Sequence, residues 1–271
     1  MTMKVKTKLA QALSNGKPAL TAECLPPVSA DPAALAKLEK SLPECLDAIL
    51  VSDHHHGPSG SALACAALLA AQKREPVLPV VTRDRNRIAL ESDVLGAATL
   101  GVRSFLCVSG THQSLGANRS AAGVHDVDST QLVQALGRMT SESVGFAGEP
   151  LDSALDLFIG AVAHPYLRPI ELGLIGLKKK IAAGAQVLWT DPVFDLESFD
   201  QWINAMRTAG LDRKVAIIAS VMPVGGAEAD LDRCSDVARE LRAIGGVRGI
   251  HLMFGGHEEL VSRVITAANL A

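Results

Sequence analysis

Aromatic side chains are scarce in this chain, since only 3% of its 271 residues are Phe, Trp or Tyr. Hydrophobic residues nevertheless make up 48% of the sequence. A large core is therefore available, but it has to be built from Ala, Leu, Val and Ile. Stacked aliphatic side chains of this kind fill the interiors of parallel β-barrels.

The sequence also lacks long hydrophobic runs and an excess of basic residues. No apolar run approaches the roughly 18 residues that span a membrane, and segment 1–15 carries lysines but no apolar signal core. The formal net charge is −3, whereas nucleic-acid binding favours a basic stripe. We therefore expect a cytoplasmic protein with no membrane and no nucleic-acid partner.

Closely spaced cysteine pairs are missing as well. The chain has no CxxC motif, which excludes a zinc ribbon and the usual iron–sulfur ligand patterns. We expect reduced, mostly buried thiols at Cys24, Cys45, Cys65, Cys107 and Cys234. His54-His55-His56 could suggest a metal, but adjacent side chains diverge instead of converging on one ion. We predict no metal site.

What the sequence does contain is a rhythm of eight short apolar runs, each followed by an amphipathic stretch. The runs are Ala19–Leu25, Ala48–Ser52, Val77–Thr82, Phe105–Ser109, Phe158–Ala163, Gln186–Thr190, Val215–Met222 and Gly249–Phe254. Strands that alternate with helices pair in parallel through crossover helices. Eight such units in about 250 residues predict a single (β/α)8 TIM barrel over residues 1–271.

Helix signals fill the gaps between the runs. A helix is predicted to start near Asp31, which can cap it ahead of Pro32. Further helices are predicted over Ser59–Lys73, Ile88–Gly101, Pro169–Gly184, Leu196–Gly210, Glu228–Gly245 and Glu258–Leu270. The polar segment Thr111–Asp128 breaks the rhythm, and we expect a long binding loop there.

In such barrels the chemistry takes place at the carboxyl ends of the strands. Glu23 ends an otherwise apolar run, and burial there would raise its pKa until it could donate a proton near neutral pH. A salt bridge at the barrel mouth, with Arg83 or Arg85, is an equally good interpretation. Polar residues at other strand ends are Asp53, Asn86, Thr111, His164 and Asp191.

Two further patterns would suit an anionic ligand. The cluster Thr82–Arg87 contains three arginines, and guanidinium groups grip phosphate or carboxylate. Gly225-Gly226 and Gly255-Gly256 follow the last two strands, where barrels often bind phosphate through backbone N–H groups. Without other information, these features would also fit a barrel that acts on a phosphorylated metabolite.

Several segments, taken in order, resemble the methylenetetrahydrofolate reductase family, particularly its short members from acetogens and corrinoid-dependent methyl pathways. The segments are Glu23–Pro27, Arg83–Ala97, Ile159–Pro165, Leu177–Ala185, Phe194-Asp195 and Val221–Val224. The resemblance extends over most of the chain. It implies a flavoprotein oxidoreductase of one-carbon metabolism and methionine biosynthesis.

The resemblance implies that reduced FAD, rather than FMN, passes a hydride to 5,10-methylenetetrahydrofolate and gives 5-methyltetrahydrofolate. Glu23 matches the family's acid, which protonates folate N10. Two residues, His164 and Lys180, match positions that contact the flavin nucleotide in the family. Two more, Thr82 and Gly110, match strand-end positions beside the flavin. By the same match, Asn86 lies in the pocket region. No GxGxxG motif follows a strand, so NAD(P)H or a partner protein would supply the electrons.

The chain differs from the family pattern at two strand ends. Ser109-Gly110-Thr111 stands where the family has Gly-Asp, and Thr190-Asp191 stands where it has Thr-Gln. We place Ser109 and Thr111 among the flavin-binding positions and expect Asp191 to supply the carboxylate missing at position 111. The alternative is an accessory subunit that binds folate or a partner without catalysis. A partner subunit or homo-oligomer fits either case.

Overall fold

The computed structural model describes residues 6–53, 57–226 and 228–271. Strands and helices alternate along almost the whole length. The elements are α1 (Lys8–Ser14), β1 (Ala19–Cys24), α2 (Pro32–Ser41), β2 (Ala48–Val51), α3 (Ala62–Ala71), β3 (Pro76–Val81), α4 (Arg87–Thr99), β4 (Ser104–Val108), α5 (Ser129–Ser141), β5 (Phe158–Ala163), α6 (Ile170–Ala182), β6 (Val187–Pro192), α7 (Leu196–Thr208), β7 (Ala216–Val221), α8 (Leu231–Ala243), β8 (Gly249–Leu252) and α9 (Val261–Ala268). Short 3-10 turns lie at Gln113–Leu115 and Glu258–Leu260.

The eight strands form a closed parallel barrel in chain order, because β8 pairs with β1. The predicted (β/α)8 fold is therefore confirmed. The predicted strands agree with the observed ones to within two residues at each end. Within the described ranges, no helix combines the length and apolar character that a membrane-spanning helix needs.

Alternation along the strands divides the apolar side chains into two cores. Outward-facing residues pack against the surrounding helices in the larger core. Inward-facing residues such as Leu50, Phe158 and Ile218 form a second core together with Leu9 and Leu13 of α1. The helix α1 thus closes the amino-terminal end of the barrel. The open end is the carboxyl end of the strands, which we call the mouth.

The helix start and stop signals predicted from the sequence have the expected geometry in the structure. The Asp31 carboxylate accepts a hydrogen bond from the Ala33 N–H at 2.9 Å and caps α2, which begins at Pro32. Gly101 and Gly184 have φ angles of +92° and +119° just beyond α4 and α6, a conformation that favours glycine. The predicted ends of these helices are confirmed.

Two helices were not anticipated from the sequence. The helix α1 has only seven residues, too few for a periodic pattern to stand out. The helix α5 begins directly after the predicted loop, where Asp128 and Gln131 form a reciprocal capping box. The loop itself folds over the end of β3, because the N–H groups of Val124 and His125 donate to the carbonyls of Arg83 and Thr82.

Candidate active site

Glu23 belongs to the inward-facing set of β1. Side chains along a strand alternate, and Thr21, two residues earlier, lies inside the barrel with its hydroxyl 2.9 Å from His251 Nδ1. Glu23 therefore lies one layer closer to the mouth. Its carboxyl group accepts hydrogen bonds from the Ser52 hydroxyl and the Gly255 N–H. Both donors are neutral.

The surroundings of Glu23 favour its protonated form. Burial raises the pKa of the Glu23 carboxyl above its ordinary value of 4.5, and the nearby Glu258 carboxylate adds to the rise. The hydrogen bonds from Ser52 and Gly255 act in the opposite direction, but burial is the larger effect. Beneath this layer, complete burial lowers the pKa of His251 to about 3, so that the imidazole brings no positive charge to offset the Glu23 anion.

The salt-bridge interpretation of Glu23 is wrong, because both arginines are paired elsewhere. Arg83 binds Asp84 with an N–O distance of 2.5 Å. Arg85 lies 3.2 Å from Asp53 and 3.1 Å from Asp93. Arg83 and Arg85 are thus both neutralised by nearby aspartates. Beside it, a pocket of about 230 Å³ is lined by Asp53, Gly57, Arg83, Asp84, Gln113, Asn118 and Ala121.

A second polar centre lies at the ends of β5 and β6. The register pairs Ala163 with Thr190, so the residues that follow, His164 and Asp191, lie side by side. His164 Nδ1 is 2.7 Å from an Asp191 oxygen, and the two side chains are 58% and 42% exposed. This pair faces solvent at the mouth, in contrast to Glu23.

Lys180 approaches the same centre from α6. Its Nζ donates a hydrogen bond to the Val162 carbonyl at 2.8 Å. Burial is the larger effect and lowers the pKa of Lys180, while the neighbouring acidic groups Cys107, Asp128 and Asp191 act in the opposite direction. An ammonium group carries three donors, so two remain for a ligand.

The segment after β4 is exposed at the mouth at Ser109, Gly110 and Thr111. Gly110 has a φ angle of +83°, and a Cβ atom there would lie only 2.6 Å from Val81 Cγ1. Only glycine can therefore turn the chain at this point. The Thr111 carbonyl accepts a hydrogen bond from Arg83 at 2.9 Å, which ties this segment to the end of β3.

Two further anticipated flavin-binding residues are Thr82, directly after β3, and Asn86, directly before α4. Thr82 is completely buried, and its hydroxyl has no hydrogen-bond partner within the described residues. The Asn86 side-chain oxygen accepts from the Ala89 N–H at 3.1 Å and caps α4. Capping explains the presence of Asn86 without any ligand.

Three of the four N–H groups of the paired glycines are already engaged by carboxylates of the chain itself. Gly225 donates to Asp230 at 2.8 Å, and Gly256 donates to Glu258 at 2.9 Å. Gly255 donates to Glu23. The contributions of Ser52 and Gly255 were missed at the sequence level, although both follow directly from their places at strand ends beside β1.

Metal ligands do not come together in the part of the chain that the structure describes, where no group of three or more His, Cys, Asp or Glu side chains could hold an ion. The run His54-His55-His56 lies outside the described residues.

Solved structures of other proteins resemble this chain in fold. Crystal structures of 2,3-dimethylmalate lyase, a PEP mutase/isocitrate lyase superfamily member, superpose with a TM-score of 0.54 in both the trigonal and the triclinic form. These matches cover 97% of this chain and 82% and 86% of the lyase chain, at 15% and 16% identity. This level of likeness supports the barrel fold alone.

Sequence similarity identifies the family. "Methylenetetrahydrofolate reductase 2" of Saccharomyces cerevisiae is 35% identical over 72 residues, which cover 24% of this chain and 12% of the yeast protein. The chain thus matches about an eighth of the length of that curated relative. The family model described as "Methylenetetrahydrofolate reductase" matches residues 8–240, which is most of the chain. The chain belongs to the methylenetetrahydrofolate reductase family.

Proposed function

We propose that the protein is a flavin-dependent oxidoreductase that reduces 5,10-methylenetetrahydrofolate to 5-methyltetrahydrofolate. The observation that carries this proposal is the environment of Glu23, whose largely buried carboxyl accepts hydrogen bonds only from neutral groups and has a raised pKa. An acid of this kind can hold a proton near neutral pH and release it to a substrate nitrogen.

Glu23 protonates N10 of the folate in this proposal. Opening the five-membered ring requires a proton on the departing nitrogen, and the product then forms when one hydride adds to the methylene carbon. The Ser52 hydroxyl and the Gly255 N–H both donate to the Glu23 carboxyl. They hold it in place and stabilise the anion that remains after proton transfer.

The donor set on the opposite side of the mouth fits a flavin. The Lys180 ammonium group retains two N–H donors after its bond to Val162. A charged donor group of this kind binds the phosphates of FAD more strongly than it binds an uncharged ligand. His164 and the hydroxyl of Ser109 add hydrogen-bonding groups that are open to solvent. When bound, the flavin supplies the hydride. FMN remains an alternative to FAD.

Asp191 provides an acceptor next to these donors. The His164 ring holds one of its oxygens at 2.7 Å, which fixes the carboxylate and leaves lone pairs available to a ligand. Pterin rings carry N–H donors that such a carboxylate can bind. Asp191 then takes the place of the carboxylate that the family has at the position of Thr111.

The source of the electrons is part of the proposal. NAD(P)H could bind at the open mouth, or a partner protein could deliver electrons there. The exposure of His164 and Asp191 leaves room for either route.

An accessory, non-catalytic role is the second candidate. The observation that favours it is the exposed threonine at position 111, where the family has a carboxylate. This alternative predicts binding of folate or of a partner without turnover.

The test starts from the visible absorption spectrum of the purified protein during titration with FAD and then with FMN. We expect tighter binding of FAD, and we expect Lys180→Met to weaken it about tenfold, because a charged hydrogen bond to phosphate is lost. Lys178→Met is the matched control, since Lys178 lies on the same helix but is exposed.

The reaction itself is tested in a single turnover without oxygen. Protein carrying reduced flavin is mixed with methylenetetrahydrofolate, and oxidation of the flavin is followed by absorbance. Oxidation coupled to formation of 5-methyltetrahydrofolate supports the proposal. Folate binding without flavin oxidation would favour the accessory role, and a protein that takes up neither flavin would contradict the proposed function.

A further inference from the structure

One buried side chain fastens the turn after β8 to the end of β1. Glu258 begins the 3-10 turn Glu258–Leu260 and is only 7% exposed. Its Oε1 atom accepts hydrogen bonds from the Leu25 N–H at 2.8 Å and from the Gly256 N–H at 2.9 Å. Leu25 and Glu258 are 233 residues apart in the chain. The Glu258 carboxylate therefore joins two strand ends that only closure of the barrel brings together.

Both backbone groups that Glu258 holds are next to Glu23. Leu25 follows Glu23 by two residues, and Gly256 directly follows Gly255, whose N–H donates to the Glu23 carboxyl. Gly255 and Glu23 approach closely, since a Cβ atom at Gly255 would lie 3.1 Å from Glu23 Oε2. A small displacement of Gly255 would therefore change its hydrogen bond to Glu23, because such bonds weaken steeply as distance and angle depart from their optimum.

The segment Gly255-Gly256 has few other ties. Within the described residues, its two N–H groups donate only to the carboxyl groups of Glu23 and Glu258. Gly256 has a φ angle of +87°, and glycine is the residue whose backbone is least restricted. Hydrogen bonds, and not side-chain packing, must therefore fix the conformation of this segment.

Glu258 also brings a negative charge close to Glu23. Burial is the main cause of the raised pKa of Glu23, and the charge of Glu258 adds to the rise. The same charge acts on the thiols of Cys24 on β1 and Cys65 on α3. These are the titratable groups that face Glu258 from β1 and α3.

No basic side chain neutralises Glu258 in the part of the chain that the structure describes. The helices α2 and α9 pack against the turn Glu258–Leu260. Their charged residues are Lys37, Glu39, Lys40 and Arg263. None of these residues, and no other described residue, forms an ion pair with Glu258. The charge of Glu258 is therefore offset only by the two backbone N–H groups that it binds.

We propose that Glu258 is a positioning residue for the candidate acid, because it holds the segment Gly255-Gly256 against the end of β1 and thereby keeps the Gly255 N–H on the Glu23 carboxyl. A second effect is electrostatic, since a like charge nearby disfavours the ionised form of Glu23. The two effects can be separated, because glutamine at position 258 keeps the acceptor oxygen and removes the charge. The consequence for catalysis rests on the proposed function, whereas the effects on Gly255 and Glu23 do not.

The first test measures positioning without any ligand. Hydrogen exchange of the Gly255 amide is followed by NMR in the full chain, Glu258→Ala and Glu258→Gln. We expect exchange to be about tenfold faster or more in Glu258→Ala, because the segment opens more often. Glu258→Gln should restore slow exchange. Glu259→Gln is the matched control, since Glu259 is adjacent but exposed, and circular dichroism checks that every variant is folded.

The second test measures the charge effect. Carbon-13 NMR of protein labelled in its glutamate carboxyl groups follows the ionisation of Glu23, whose signal is identified by its absence in Glu23→Gln. We expect the pH midpoint of Glu23 to fall by about one pH unit in Glu258→Gln, because the repelling charge is lost. The midpoint should stay unchanged in Glu259→Gln.

The third test applies the single-turnover assay across pH. The acid has to be protonated, so the rate of Glu258→Gln should match the original chain at low pH and then fall at a lower pH than the original does. Glu258→Ala should be slower by about tenfold throughout, because Glu23 loses its support.

Three results would overturn the proposal. These are unchanged exchange of the Gly255 amide in Glu258→Ala, an unchanged midpoint of Glu23 in Glu258→Gln, and identical pH profiles for Glu258→Gln and the original chain. Should the original chain fail to oxidise its flavin, the proposed function is contradicted. The exchange and ionisation measurements then still decide whether Glu258 positions Gly255 and acts on Glu23.

Discussion

Two carboxylates at the mouth of the barrel, Glu23 and Asp191, end up in opposite environments. Glu23 is only partly accessible to solvent and accepts hydrogen bonds from a hydroxyl and a backbone N–H. Asp191 is 42% exposed and lies 2.7 Å from a histidine nitrogen. Both side chains lie at strand ends of the same barrel, so the difference between them comes from the groups that surround each strand end.

This difference separates two chemical roles. A buried carboxyl with neutral donors keeps its proton more readily, because burial disfavours its charged form. A solvated carboxylate next to an imidazole is better suited to accept hydrogen bonds than to donate a proton. The structure therefore supports Glu23 as the proton donor and Asp191 as a binding group in the proposed reaction. The following predictions test this contrast.

The largest effect is expected for Glu23→Gln. The amide keeps the size of the side chain but has no acidic proton, so we expect the single-turnover rate to fall about a hundredfold or more. Flavin affinity should stay within a few-fold of the original. Rapid-mixing absorbance and a flavin titration measure these two quantities separately.

Glu75→Gln is the matched control for that substitution. Burial also raises the pKa of Glu75, and its carboxyl accepts a hydrogen bond from Ser104 at 2.7 Å. Glu75 precedes β3, however, and so lies at the end of the barrel opposite the mouth. A comparable loss of rate in Glu75→Gln would show that a general loss of structure, and not the missing acid, slows the reaction.

A smaller effect is expected at the exposed pair. Asp191→Asn and His164→Ala should each lower kcat/KM about tenfold, because each removes a binding group or its support. Since the two side chains share a hydrogen bond, the double variant should lose less than the product of the single losses. Steady-state assays on the four proteins measure this coupling. An unchanged rate for Asp191→Asn would remove Asp191 from the site.

The smallest effect concerns stability. The folded-state pKa of Glu23 is raised, so the folded state holds this proton to higher pH than the unfolded chain. Its contribution is fully present below the unfolded pKa and is lost as pH rises through the folded pKa. The Glu23→Gln variant has no carboxyl to ionise at this position and therefore does not lose stability in this way. We expect the Tm of the variant minus the Tm of the original chain to increase by about 2 °C between pH 4 and pH 8.

Differential scanning calorimetry at several pH values measures this trend. Glu75→Gln should show the same sign, because burial raises the pKa of that group as well. If Tm changes with pH in the same way for both variants but only Glu23→Gln loses single-turnover rate, the catalytic effect of Glu23 is distinct from the effect of burying a carboxyl group. A Tm difference that stays constant with pH would contradict the raised pKa of Glu23.

Much of the fold could be predicted from the sequence because its signals are local. Apolar runs bounded by Gly, Pro or polar residues identified all eight strands, a capping signal identified the start of α2, and glycine signals identified the ends of α4 and α6. The short α1 was missed, because its role in closing the barrel depends on contacts with residues such as Phe158 that are distant in the chain.

The candidate site was only partly predictable. Position at a strand end was enough to select Glu23, His164 and Asp191. It could not show that Arg83 and Arg85 would bind Asp84, Asp53 and Asp93 instead of Glu23. It also could not show that Thr82 would be buried while Ser109 stayed exposed.

The sequence by itself determined the number and order of the strands, the family and the residue that we propose as the acid. Only the tertiary structure decided the partners of each charged group and therefore which carboxyl is buried among neutral donors. The physical reason is range: turns, caps and periodicity act over a few residues, whereas desolvation and ion pairing depend on groups brought together by closure of the barrel. Ser52 and Gly255 are far apart in the chain, yet both donate to Glu23.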